Sequence, residues 1–220
     1  MKTLLAAVAF SLTAGIAAAG TITFDGFANG AYLGGDVDLG DDLTGTVSAT
    51  GGKNRAQVFD TGLAKNNATS RDLVDPKNSV TGAKYTGGNA LIVADKKSTM
   101  AKPDETTGPG TLTFTFDRML TVLGFTGIDL DCIAQAVRVS MDDGPLSEAY
   151  WNGNDQWTDF ALATPLTGTK LTFWLSGSGA IDNIRWEEPA AAVPVPAAGV
   201  LLLAGLGGLA ALRRRSATAA

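Results

Sequence analysis

The sequence predicts an all-β fold, an antiparallel β-sandwich, and three observations point there. Short segments rich in β-branched and aromatic residues recur along the chain, parted by Gly, Asn, Asp and Pro. One of them, Thr111-Leu112-Thr113-Phe114-Thr115-Phe116, alternates strictly between apolar and hydroxyl side chains, the period of a strand with one buried face. No segment between the two ends carries the 3.6-residue periodicity of an amphipathic helix.

Taken in order, strands are expected over 21–27, 43–49, 57–61, 90–94, 111–116, 120–130, 136–141, 157–162, 170–175 and 180–186. Ile22 and Phe24 share one face of the first. Leu171, Phe173 and Leu175 repeat the alternation late in the chain, and Ile181, Ile184 and Trp186 do so less regularly. The polar stretches 65–84 and 98–110 read as loops. Many short strands with frequent turns describe a jelly-roll-like sandwich.

The two ends carry signals of a different kind. Residues 1–19 open with Lys2, run through an apolar core and finish in Ala17-Ala18-Ala19, the layout of a cleavable secretory signal peptide. A single domain follows over 20–188, the size of one full hydrophobic core. An Ala/Pro spacer covers 189–198 and contains Val193-Pro194-Val195-Pro196-Ala197; the core of an expected transmembrane helix covers 199–212. The tail, 213–220, begins Arg213-Arg214-Arg215. Positive charge beside a span is retained in the cytoplasm, so the domain is expected outside and the arginines inside.

At these residues the C-terminal tail resembles the VPLPA type of PEP-CTERM sorting signal: a short Val-Pro-Val-Pro-Ala motif, a Gly/Leu/Ala-rich span and an arginine cluster, in that order. Val195 departs from the Leu usual in the family. The resemblance implies an exosortase-type sorting enzyme as partner, and export across the inner membrane of a Gram-negative bacterium. A membrane-anchored intermediate would then be released to the cell surface or medium, in association with extracellular polysaccharide or biofilm matrix. A permanent anchor that is never processed is the alternative.

Composition narrows the chemistry. The domain holds 22 acidic and 13 basic residues, a net charge of −9, which argues against nucleic acid as a partner. The chain has no histidine, which removes Ser-His-Asp and Cys-His catalysis. The reading is therefore non-catalytic, with hydrolysis by paired carboxylates as the alternative. Asp129, Asp131, Asp142, Asp143 and Glu148 are available for that. Cys132, the single cysteine, reads as a small buried hydrophobe.

Hard oxygen ligands in acidic turns suit calcium. Two such turns are Phe24-Asp25-Gly26-Phe27 and Ile181-Asp182-Asn183-Ile184. Together they resemble the opening and closing strands of jelly-roll carbohydrate-binding domains of the galactose-binding type. That resemblance implies Asp25 and Asp182 as ligands of a structural calcium; turn residues with local hydrogen bonds are the alternative. For a glycan, the segment from Tyr150 to Trp157 combines ring faces with amides. Its candidate contacts are Tyr150, Trp151, Asn152, Asn154 and Trp157, although an Asn152-Gly153 turn with core aromatics would use the same residues.

Overall fold

A computed structural model describes residues 18–65, 68–130 and 136–189, with Gly205. Residues 18–189 form one compact unit. Eleven strands join in one hydrogen-bonded sheet: β1 (Ala19–Ile22), β2 (Tyr32–Leu33), β3 (Asp36–Asp38), β4 (Thr44–Thr50), β5 (Ala56–Asp60), β6 (Lys77–Asn78), β7 (Asn89–Val93), β8 (Gly110–Ile128), β9 (Val137–Met141), β10 (Gln156–Leu175) and β11 (Ala180–Glu187). Every pairing is antiparallel except β6 with β10. The all-β expectation holds. Among the described residues no helix is long and apolar enough to cross a membrane, and the expected span at 199–212 lies outside them.

The two long strands organise the rest. β8 pairs with β10 on both sides of residues 116–119, with β4 through its first half (Thr111 to Phe116) and with β11 through its second (Thr121 to Ile128). The segments 111–116 and 120–130 are therefore largely one strand, because Asp117-Arg118-Met119 stays extended within β8, as a bulge without ladder partners, instead of turning. The segments 157–162 and 170–175 likewise merge into β10, across register shifts between Ala161 and Leu166 and between Gly168 and Lys170. The first strand stops at Ile22, and Asp25 lies in the turn that follows.

Alternation survives where one face is wet. β4 buries Val47 and Ala49 between exposed Thr46, Ser48 and Thr50, and β8 buries Leu112, Phe114 and Phe116. These side chains meet Phe125, Phe173, Ile22, Phe24 and Trp186 in the main core. Phe125 touches Phe173 edge to face, with centroids 5.1 Å apart. The pattern lapses where both faces are covered: Ala90, Leu91, Ile92 and Val93 of β7 are all buried. Their second face is closed by the polar stretch 68–84, which carries Leu73 and Val74, both fully buried, into a cluster with Phe59, Ile92 and Ile128.

One glycine explains a shift of phase. A Cβ on Gly124 would stand 2.2 Å from the Phe160 carbonyl oxygen and 2.3 Å from an Arg185 guanidinium nitrogen. Its absence lets Arg185 donate to that carbonyl at 2.7 Å. The β8–β11 register slips at the same place.

Candidate functional site

The terminal strands do bring Asp25 and Asp182 to one place, around a residue the sequence reading passed over. Tyr85 lies in the covering loop, and its hydroxyl donates a short hydrogen bond to Asp182 Oδ2 while accepting one from Asn183 Nδ2 at 2.9 Å. Asn183 Nδ2 also reaches Thr126 Oγ1 at 3.3 Å. The Thr126 hydroxyl donates to Asp159, whose carboxylate faces Arg185 at 3.6 Å. Asn183 holds a φ of 46°, which turns its amide toward Tyr85 instead of along the strand.

Asp25 sits at the mouth of this network. Its Oδ1 accepts the Asn89 amide N–H at 2.7 Å. Gly88, at a φ of +76°, leaves room for it: a Cβ there would fall 2.2 Å from Asp25 Oδ1. Asp182 is fully buried, and its Oδ1 has no hydrogen-bond partner of good geometry. Burial, reinforced by the charge of Asp25, raises its pKa to about 7, against the opposing pull of the Tyr85 hydroxyl and nearby backbone amides. Burial foremost, and the Asp182 carboxylate next, drive the Tyr85 phenol far above its ordinary range. Two carboxylates, a phenol and an amide hold six oxygens at most, the lower end of the six to eight a calcium ion takes, and Asp25 Oδ1 and Asp182 Oδ2 already accept hydrogen bonds. Among the described residues no group of three or more metal-ligating side chains is assembled.

The structure divides the Tyr150–Trp157 segment. Tyr150 is buried, packed edge-on against Phe125 at 5.5 Å, and also against Phe160 at 5.4 Å. Asn152 is buried as a clamp: Oδ1 accepts the Leu130 N–H at 2.7 Å and Nδ2 donates to the Gly127 and Gln156 carbonyls. Trp157 packs on Tyr85 and donates its indole N–H to the Ala83 carbonyl at 3.0 Å. Trp151 and Asn154 are exposed. Five candidate contacts thus become two buried residues, one half-buried residue packed on Tyr85 and two exposed ones, which do not form a single platform.

A broader polar surface lies elsewhere. The registers align Arg138, Trp174, Thr111 and Thr50 in one row across β9, β10, β8 and β4. Ser140, Thr172, Thr113 and Ser48 form the next, and Lys170, Thr115 and Thr46 a third. Trp174 is half exposed, Thr46, Ser48, Thr50 and Thr115 are exposed, and Thr111, Thr172 and Ser140 lie in troughs between neighbours. Hydroxyls bond across strands, Thr50 to Thr111 at 2.8 Å and Thr113 to Thr172 at 3.3 Å. The edge at Ser48 adjoins a cavity of about 410 Å³ lined by Tyr32, Asn54 and Arg55, with the Arg55 guanidinium 4.9 Å over the Tyr32 ring.

Three of the five acidic residues available for paired-carboxylate chemistry, Asp129, Asp142 and Asp143, have partners. Asp142 accepts the Thr169 and Lys170 amides at 3.1 and 2.8 Å, Asp143 pairs with Lys170 at 2.8 Å, and Asp129 accepts the Asp155 amide at 2.9 Å. Asp131, Cys132, the sorting motif Val193 to Ala197 and Arg213, Arg214 and Arg215 lie outside the described residues. A scan against protein-family models finds no match, and a search of curated proteins finds no significant relative.

Proposed function

We propose that this chain is an exported surface or matrix protein, sorted through its C-terminal tail, whose domain associates non-catalytically with extracellular polysaccharide. The observation that carries the binding part is the row-by-row array of hydroxyls around Trp174. An indole face covers the apolar face of a pyranose, and hydroxyls at the regular spacing of neighbouring strands, about 4.8 Å, meet successive sugar hydroxyls. The cavity at Tyr32 and Arg55 extends the same edge. The leader and tail support export, with the membrane and an exosortase-type enzyme as partners before release.

The architecture that fits this reading is a jelly-roll-like sandwich. β8 changes partner from β4 to β11 half-way along, and both halves contribute to one core, Phe114 from the first and Phe125 from the second. A long strand that serves two layers in this way closes a sandwich at its corner. A calcium ion between Asp25 and Asp182 belongs to the same reading, supported by their like charges around Tyr85 and by the partnerless Asp182 oxygen.

The test is co-sedimentation of the full chain with matrix polysaccharide from its host, comparing wild type with Trp174→Ala. A loss of binding of at least about tenfold, as for an aromatic anchor worth more than about 1.4 kcal/mol, is the expected outcome. Equal binding by the variant discards this face as the contact surface. Intact mass of the secreted and membrane fractions tests the sorting. A membrane-bound product that keeps residues 200–220 makes the chain a permanently anchored protein.

A further inference from the structure

We propose that a second, separate place binds a divalent cation: the cavity between the 68–76 loop and the segment leading into β8, with Glu105 as its buried ligand and calcium as the ion. The cavity measures about 460 Å³, and four carboxylates line it, Asp72, Asp95, Asp104 and Glu105, against two cations, Arg71 and Lys97. The wall therefore carries two uncompensated negative charges, the charge of one divalent ion.

Glu105 is the residue that asks for a ligand. It is only 8 % exposed, it lines the cavity, and its Oε2 is buried with no hydrogen-bond partner. A buried, partnerless carboxylate oxygen costs several kcal/mol unless a proton or a cation answers it. Its backbone is held rigidly. Glu105 bridges to Ala94, its N–H donates to Ser70 Oγ at 3.1 Å, and the Thr106 N–H donates to the Val93 carbonyl at 2.8 Å. Ser70 in turn donates to Asp104 Oδ1 at 3.1 Å, which ties the two loops together and sets Asp104 beside Glu105.

The ligand class follows from what is present. Without histidine in the chain, carboxylates, carbonyls, hydroxyls and water make an all-oxygen shell. Irregular loop carboxylates suit the variable six-to-eight coordination of calcium better than the strict octahedron of magnesium. No three of these carboxylates form a ready ligand group among the described residues. Loading is therefore expected to draw Asp72 and Asp95 inward, with water completing the shell. This site is independent of the polysaccharide face and of Asp25 and Asp182.

The experiment is calcium titration by calorimetry, with thermal melting, on the purified full chain in detergent after chelation. Wild type should bind calcium and melt higher at about 1 mM calcium, a concentration typical of extracellular modules. Glu105→Gln, which keeps the shape and removes the charge, should lose that site while melting no lower than wild type in chelator. Asp104→Asn should weaken the site at least about tenfold. Asp182→Asn should leave it intact, which separates this cavity from a calcium at Asp25 and Asp182. The proposal is overturned if wild type binds no calcium, or if Glu105→Gln binds it as wild type does.

Discussion

Asp182 and Glu105 are both buried acids with one partnerless oxygen, and both are pushed up to about 7, yet their surroundings are opposite in kind. Asp182 is sealed: Tyr85 closes over one oxygen, the β11 backbone fixes it, and any cation must share it with the phenol. Glu105 faces a cavity that solvent and ions can enter. The same desolvation therefore has different remedies. At Asp182 the fold itself supplies most of the compensation, while at Glu105 it leaves the compensation to something from outside.

The largest expected effect comes from removing ions and varying pH. Both groups have folded pKa values raised above their unfolded ones, from 3.8 for Asp182 and 4.5 for Glu105. Their contribution to stability is fully present below about pH 4 and is lost as pH rises through about 7. Each shift corresponds to something on the order of 3 kcal/mol. Asp25 and Tyr85 face Asp182, and Asp72, Asp95 and Asp104 face Glu105. In chelator the full chain should lose stability between about pH 4 and about pH 7. Asp182→Asn should remove its share of that slope, and calcium should remove the Glu105 share. Denaturant midpoints across that range check both, and a flat profile in chelator would remove the common basis of the comparison.

Next in size is Tyr85→Phe. It deletes the donor to the fully buried Asp182 carboxylate and the acceptor for Asn183, so a loss of about 3 kcal/mol at about pH 8 is expected. The loss should shrink at about pH 5, where Asp182 is protonated and no charge is left unpaired. Urea unfolding at the two pH values reads the difference. An equal cost at both would mean that Tyr85 acts through packing on Trp157 alone.

How far these regions were legible follows from the kind of signal each leaves. The alternation of Leu112, Phe114 and Phe116 announces a strand and its wet threonine face at once; Trp174 was passed over, although it stands out of phase with Leu171, Phe173 and Leu175 and the same rule marks it as outward. Asp25 and Asp182 were reached through a likeness of the terminal strands, which the β1–β11 pairing places side by side. Tyr85 was not, because a lone Tyr in a polar loop has no periodicity; only the adjacent Gly87-Gly88 hints that the chain must pass close to something. The span from Tyr150 to Trp157 misled because composition does not say which ring points inward. Glu105 left no local trace at all: its partners Ser70 and Asp72 are more than thirty positions away, and loop closure alone brings them together.

The smallest effect should be Ser70→Ala, and its size separates the open site from the sealed one. Ser70 Oγ accepts the Glu105 N–H and donates to Asp104, so it makes two bonds where Tyr85 makes two. Bond counting alone predicts equal costs for the two deletions. The cavity beside Ser70, however, admits water to the Glu105 amide and the Asp104 carboxylate, and a bridging water nearly replaces a direct bond. The expected cost in chelator is therefore about 1 kcal/mol or less, with little dependence on pH. A cost matching that of Tyr85→Phe would mean that the cavity is as dry and closed as the surroundings of Asp182, and a hydrated ion could not enter it.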